Sequence, residues 1–315
     1  NRKKLPKDIK IPPTLAYENE FVKEALIYCK KFKSVGSCEN FYYPTTFDEA
    51  SLQLDYFLKE KFENFGTYQD AITKDIKQNF LFHSNISSSL NIGLLDLHEL
   101  IEKIVNFDAP YNAKEGFIRQ IIGWREFMLR VYEDDGVKLR NSNFFEFKNY
   151  MPKKILEAKS GIKILDDTIK KLNLTAYNHH IDRLMILGNI FLLLEIKPNE
   201  VYEFFMKNYI DAYDWVMVGN VYGMSGFSDG GSITTKPYIA SSNYLLKMSD
   251  YDKNESWCKI IDALYWRFLY KYSFKFDKNP RMKMQIALLN KMPKEKLENH
   301  LKIANNFLEK LFITD

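Results

Sequence analysis

Cysteine is scarce. Cys29, Cys38 and Cys258 are the only three in 315 residues, too few and too scattered for a disulfide framework, which suits a reducing compartment. Long hydrophobic runs are missing too: the greasiest stretch, Leu184 to Ile196, is interrupted by Gly188, Asn189 and Glu195. Neither a signal peptide nor a membrane span is expected. There is no zinc-type ligand spacing, no Walker-type loop, no GxGxxG and no internal repeat, and alternating strand patterns are nearly absent. The formal charge is only +4, weak evidence for a polyanion partner and silent about which one.

What is present points to helices. The chain is 46 % hydrophobic and 27 % charged, enough for a substantial core and one or two tightly joined domains. Its 24 Phe and 20 Tyr can fill a core, and Tyr can also line a polar-rimmed pocket. Residues 1–17 are polar and broken by proline, an expected extended arm that reads as an inter-domain linker; residues 18–315 read as one helical unit. The start on Asn1 in a basic NRKKLPKDIKIPP suggests the back part of a longer protein. A helix is expected over about 18–33. Thr46, with Glu49 three positions on, should cap another that runs to Gly66, after which YQDAITKDIKQNF should resume it. Further helices are expected in DLHELIEKIVNF, GFIRQIIGWREFMLRVY, residues 160–176, SWCKIIDALYWRFLYKY, NPRMKMQIALLNKM and EKLENHLKIANNFLEKLFI. The fold class is all-α.

The chain reads as organised around residues 178–248. NHHIDRLMILGNIFLLLEI reads as a buried helix in which His180, Arg183 and Asn189 break an apolar surface and must be satisfied by a neighbour or a ligand. DAYDWVMVGNVYGMSGFSDGG, rich in glycine and aspartate, reads as a shaped binding loop. Adjacent helical residues point about 100° apart, so His179 and His180 cannot bind a metal in the i, i+4 manner; one can face a cavity while the other packs. The serine cluster at Ser84, Ser87, Ser88 and Ser89 precedes a helix start, which suits either a phosphate or ordinary capping. Arg119, Arg125 and Glu126 lie on one long helix beside Trp124, as ligand contacts or as surface ion pairs. Arg183 and Asp211 can pair. Tyr213, Trp215 and Tyr222 read as core or pocket wall. Lys236, Arg281 and Lys283, near turns or helix starts, could touch a phosphate backbone or be simply solvated.

These stretches resemble a known family. FGTYQDAI, LFHSNISSSLNIGLL, GFIRQIIGWREF, NHHIDRLMILGN, DAYDWVMVGNVYGMS with DGG, TTKPYIASSNYLLKMSD, and LYWRF followed by NPRM occur in the order found in the FAD-binding catalytic domain of the photolyase/cryptochrome family. The best resemblance is to the bacterial photolyase-related, (6-4) photolyase-like branch, over essentially the whole chain. It implies a multi-helical domain that binds FAD and repairs UV-damaged DNA with light, with an N-terminal α/β antenna domain and its chromophore outside this chain. It also implies a monomer in the bacterial cytoplasm or nucleoid. A cryptochrome-like signalling flavoprotein and a cyclobutane dimer photolyase are the alternatives.

Residue by residue, the resemblance implies that His83, Ser84, Asn85, Ile86 and Ser87 hold the flavin pyrophosphate. It places Gln120, Trp124 and Arg125 on the helix beside the cofactor, Arg183 and Asp211 against the isoalloxazine ring, Asn220 near flavin N5, and Tyr68 at an adenine or phosphate contact. His180 would face the lesion as proton donor, with His179 as second choice. Lys236, Arg281 and Lys283 would meet DNA phosphates. Two departures stand out. Where the branch has iron–sulfur ligands, this chain has Ile164, Asp252 and Glu255, and only Cys258 is left as a possible fourth ligand. A four-iron cluster needs four ligands, so no metal is expected, and Asp252 and Glu255 should be solvated or paired. The family's three-tryptophan electron relay is also not visible; Trp215 and nearby tyrosines are the candidates to replace it.

Overall fold

Cap chemistry locates the first helices. The structure, a computed structural model, describes residues 2–37 and 39–313, so Cys38 lies outside the described residues. Asn19 accepts a hydrogen bond from the Val22 amide and opens α1 (Glu20–Cys29), shorter at both ends than expected. Thr46 accepts from the Glu49 amide, as the sequence predicts, and Glu49 reaches back to the Thr45 amide. Each such cap contributes about 1 kcal/mol. The helix that follows, α2, spans residues 47–68 with a π-helical turn at Phe57–Lys61.

Two expectations fail here. Gly66 does not end the helix: a Cβ on it would lie 2.6 Å from the Ala113 backbone nitrogen, so its bareness lets two helices touch. Nor does YQDAITKDIKQNF resume as a helix. It runs as turns, and Ile72 donates to the Met248 carbonyl in an isolated bridge.

The other helices are α3 (Ser87–Asn91), α4 (Leu97–Asn106), α5 over residues 111–140, α6 (Lys153–Leu156) and α7 (Lys163–Thr175). Then come α8 over 182–193, α9 (Pro198–Asn208), α10 over 214–225 and α11 (Ser242–Met248). The chain closes with α12 (Ser256–Tyr272), α13 (Lys283–Asn290) and α14 (Lys294–Phe312). Among the described residues the only strand pairing is two isolated bridges. The domain is all-α.

The largest correction concerns residues 214–225, read as a loop and found as helix α10. Glycine lowers helix propensity by about 1 kcal/mol, which is why the segment misleads. Its glycines serve contacts instead. A Cβ at Gly219 would meet the Met128 sulfur at 2.5 Å, and one at Gly223 would overlap the Ile233 side chain.

Helix α8 is largely apolar and, apart from the half-buried Arg183, buried, as an apolar helix must be. Its misfit Asn189 exchanges two hydrogen bonds with the Ala240 backbone, at 3.1 and 2.9 Å. The main core packs α7 to α10 against α11, α12, α13 and α14, while a second core joins α2, α4 and the first half of α5. Residues 2–17 contain no helix and lie against α2: Lys3 donates to the Thr67 carbonyl, and Tyr56 donates to the Pro13 carbonyl. No helix among the described residues is long and apolar enough to cross a membrane.

Candidate functional site

Along the seam between the two cores lies a cleft of two adjoining compartments, about 290 Å³ and 330 Å³. His83, Gln120, Trp124, His180, Leu184 and Met224 line both, and so form the junction between them. They come from separate stretches of chain, each fixed by one of the two cores. That is why periodicity alone could not bring them together.

The larger core supplies the charged end of the first compartment. Arg183 donates from both terminal nitrogens to the two carboxylate oxygens of Asp211, at 3.0 Å each, and from Nε to the Asn178 carbonyl at 2.6 Å. Its guanidinium also lies over the rings of Tyr209 and Tyr177, at 4.3 and 5.0 Å. The Ser87 hydroxyl donates to Asp211 at 2.7 Å. A two-pronged fork of this kind holds both partners in one plane. It leaves a planar, charge-balanced edge facing the cavity. Trp124 donates to the Asn220 side-chain oxygen at 3.2 Å, and Asn220 in turn donates to the Val216 carbonyl.

The two adjacent histidines divide between cleft and interior, although His179 lies ahead of the helix. His180 is exposed to the cleft, while His179 is completely buried behind it and lines neither compartment. Desolvation at the bottom of the cleft, then Arg183 and Arg2, push the His180 imidazole down to about 4. At neutral pH it therefore carries a single N–H. His179 stacks flat on His83, with centroids 4.6 Å apart and planes within 7°. Burial holds both of these rings well below the usual histidine range.

The second compartment has walls the sequence did not reveal: Phe65, Gln69, Asp70, Tyr238 and Tyr244. Asp70 is buried and pairs with Arg2 at 2.7 Å across the rim. Burial raises its carboxyl despite that partner. Tyr238 stood in a quoted motif, TTKPYIASSNYLLKMSD. Nothing in its spacing shows that the segment returns to α2.

Of the proposed cofactor contacts, His83, Ser87, Gln120, Trp124, Arg183, Asp211 and Asn220 converge on the first compartment. Tyr68, Ser84, Asn85, Ile86 and Arg125 are not in its lining. Tyr68 packs on Phe82, Ile86 belongs to the second core, and Asn85 takes a left-handed turn (φ 55°) and donates to the Tyr42 carbonyl. Arg125 donates to Asn91 and lies 4.7 Å over the ring of Trp215. Asn91 donates to the Asp211 backbone carbonyl, so Arg125 braces the site from behind. Arg119 only pairs with Glu115 on the surface.

Lys236, Arg281 and Lys283 are exposed and lie outside the cleft. Asn279 ties the first two segments together, donating to the Thr235 carbonyl and accepting from the Arg281 amide, both at 3.0 Å. Tyr213 is exposed, Tyr222 is buried and donates to Asn199, and neither lines the cleft. Where cluster ligands were looked for, Ile164 is core and Asp252 is exposed. Glu255 accepts from the Asp252 amide and the Trp257 indole.

The chain is 39 % identical over 290 residues to the (6-4) photolyase of Agrobacterium fabrum (strain C58), a match covering 88 % of this chain and 57 % of that protein. It thus spans a little over half the length of that relative. An uncharacterised protein of Acanthamoeba polyphaga mimivirus is 42 % identical over 127 residues, which is 40 % of this chain and 100 % of that protein. Among solved structures, a bacterial class III photolyase from Agrobacterium tumefaciens gives a TM-score of 0.53 at 16 % identity over 84 % of this chain and 54 % of that one, a likeness of fold. No family model matches the chain.

Proposed function

This chain belongs to the photolyase/cryptochrome family, and from that membership and its cleft we propose that it is the catalytic part of a light-driven, FAD-dependent lyase that repairs (6-4) pyrimidine photoproducts in DNA. The observation that carries the reading is the position of His180. It is the one member of the histidine pair that opens onto the cleft, and it stands where the two compartments meet.

The residues present fit a flavin. His83, which lines both compartments, has a buried Nε2 with no hydrogen-bond partner among the described residues. Such an atom costs about 1–3 kcal/mol when unmatched, and a ligand rich in phosphate and hydroxyl groups would satisfy it. Bound here, FAD would supply light-driven one-electron chemistry. The Arg183–Asp211 fork and Asn220 would hold its ring system, and His83 and Ser87 its polar linker. The chain's own residues do the rest. Trp124, Tyr238, Tyr244 and Met224 give the second compartment flat and apolar walls for an unstacked base, and extrusion costs least at a damaged site. His180, neutral by itself at pH 7, would be drawn toward its protonated form by the flavin and DNA phosphates and could then deliver a proton to the lesion and recover it. Lys236, Arg281 and Lys283 would attract backbone phosphates.

The test is illumination of the reduced, FAD-loaded full-length protein with oligonucleotides carrying either a (6-4) or a cyclobutane lesion. Restoration of the (6-4) site and its loss in His180→Ala are expected. Full repair by that variant removes His180 from the mechanism, and repair of cyclobutane dimers alone reassigns the lesion. Photoreduction with neither repair makes the protein a light receptor.

A further inference from the structure

Behind the cleft wall, beginning at His83, runs a file of buried polar groups, His179, Asp182 and Lys171, that the proposed chemistry does not use. His83 lines both compartments, and its ring lies flat on that of His179. His179 Nε2 is 3.3 Å from Asp182 Oδ1, and Asp182 Oδ2 is 3.5 Å from the Lys171 ammonium, which donates to the Thr73 carbonyl at 2.7 Å. The side chains of His179 and Asp182 are fully buried, and that of Lys171 is 2 % exposed. We infer that Asp182 is a positioning residue: it fixes the tautomer of His179 and, through the ring stack, the edge that His83 presents to the cleft.

Stability alone does not call for this file. Burying an ion pair carries a heavy desolvation penalty, and packed apolar residues of similar volume usually do as well or better. This pair is also imperfectly satisfied, since Asp182 Oδ1, His83 Nε2 and both nitrogens of His179 lack aligned hydrogen bonds among the described residues. The geometry gives the carboxylate a different role. A negative oxygen 3.3 Å from Nε2 attracts a proton on that nitrogen and repels a lone pair. His179 is thereby held as its Nε2–H form, with a defined ring dipole. A second imidazole stacked within 7° of parallel has lowest energy with its dipole opposed, so the choice of protonated nitrogen passes from His179 to His83. That choice decides whether the cleft meets a donor or an acceptor at this wall.

The placement in sequence serves the same end. Asp182 follows His179 by three positions and comes within 3.3 Å of it, and neither lines the cleft, whereas the neighbouring His180 and Arg183 do. Asp182 also opens the π-helical stretch Asp182–Gly188, a backbone form often found where side chains are re-aimed for function. The charged or titratable groups that bear on the file are Lys61, Lys171, His180 and Arg183.

The inference rests on the cleft being the working site, but its test needs neither cofactor nor DNA. Long-range proton–nitrogen NMR of the full-length protein, labelled at its five histidines, reads each tautomer. In the unaltered protein His179 should show one tautomer, protonated at Nε2, and His83 a single tautomer as well. Asp182→Asn should convert both to mixtures, with His98 and His300 unchanged. Because that variant strands Lys171, the paired substitution Lys171→Met with Asp182→Leu serves as the second arm: it should fold and show the same mixtures. Wild-type tautomers retained in either folded variant, or an Nδ1–H form of His179 at the outset, overturn the inference. Either result leaves the repair reading to its own experiment.

Discussion

Gly188 of α8 lies against Ser225 of α10 so closely that a Cβ on it would sit 2.7 Å from the serine Cβ. Arg183, Leu184, Asn220 and Met224 of the cleft ride on these two helices, so the contact sets the width of the site. Gly188→Ala gains up to about 1 kcal/mol of helix propensity and loses about 1–3 kcal/mol to overpacking. A net loss of stability is expected in urea unfolding. Gly123→Ala is the control: nothing lies within 4 Å of its Cβ position. It should be neutral or stabilising by about 0.5–1 kcal/mol. Equal effects from both would remove the packing argument.

Breaking the guanidinium–carboxylate fork should be costly. Arg183 and Asp211 are 17 % and 8 % exposed at their side chains, and stranding one member of a buried pair costs about 3–5 kcal/mol. Asp211→Asn should lower the unfolding midpoint sharply. Arg183→Lys keeps the charge but not the two-pronged geometry, so it should retain more stability than Asp211→Asn while losing flavin retention, read from visible absorbance after gel filtration. A lysine variant that keeps its flavin would show that charge alone suffices.

The features legible in advance were local ones. The Thr46 cap, the burial of α8 and the pairing of Arg183 with Asp211 each follow from residues whose chemistry demands a nearby answer. Only one of His179 and His180 reaches the cleft, and it is the one the resemblance pointed to, but helical spacing was not the reason, because His179 lies ahead of the helix. Where the reading failed, glycine was usually the cause. Gly66, Gly219 and Gly223 looked like breaks, yet each is a contact point whose reason lies on another helix or loop. Tyr238, Tyr244 and Asp70 were missed because a cleft wall is built from tertiary returns of the chain, and period and composition do not record these.

Acid should destabilise the protein through its histidines. Desolvation pushes the folded His180 down to about 4 from an ordinary 6.5, and burial holds His83 and His179 well below the usual histidine range. A group with a lower pKa in the folded state binds protons preferentially when unfolded, so its contribution is intact above pH 6.5 and is lost as pH falls toward 4. Asp182, raised by burial, acts in the opposite sense, but the three histidines outnumber it. Urea midpoints measured from pH 7.5 to 4.5 should therefore fall, and His180→Gln should flatten the slope by about one proton. An unchanged slope would mean that His180 is not depressed.

The exposed cations outside the cleft offer a test of the nucleic-acid reading that is independent of light. Lys236 and Arg281 are exposed, and Asn279 joins their segments through the Thr235 carbonyl and the Arg281 amide. If both cations meet phosphates, Lys236→Ala and Arg281→Ala should each weaken duplex binding at low salt and reduce the slope of log K against log[salt] by about one. Asn279→Ala removes no charge, yet it releases both loops. It should weaken binding less than either cation loss and leave the slope near the unaltered value, because counterion release depends on charges engaged rather than on how tightly they are held. Fluorescence anisotropy with an undamaged duplex at several salt concentrations separates the cases. Slopes unchanged in both cation variants would place the phosphate contacts on another face.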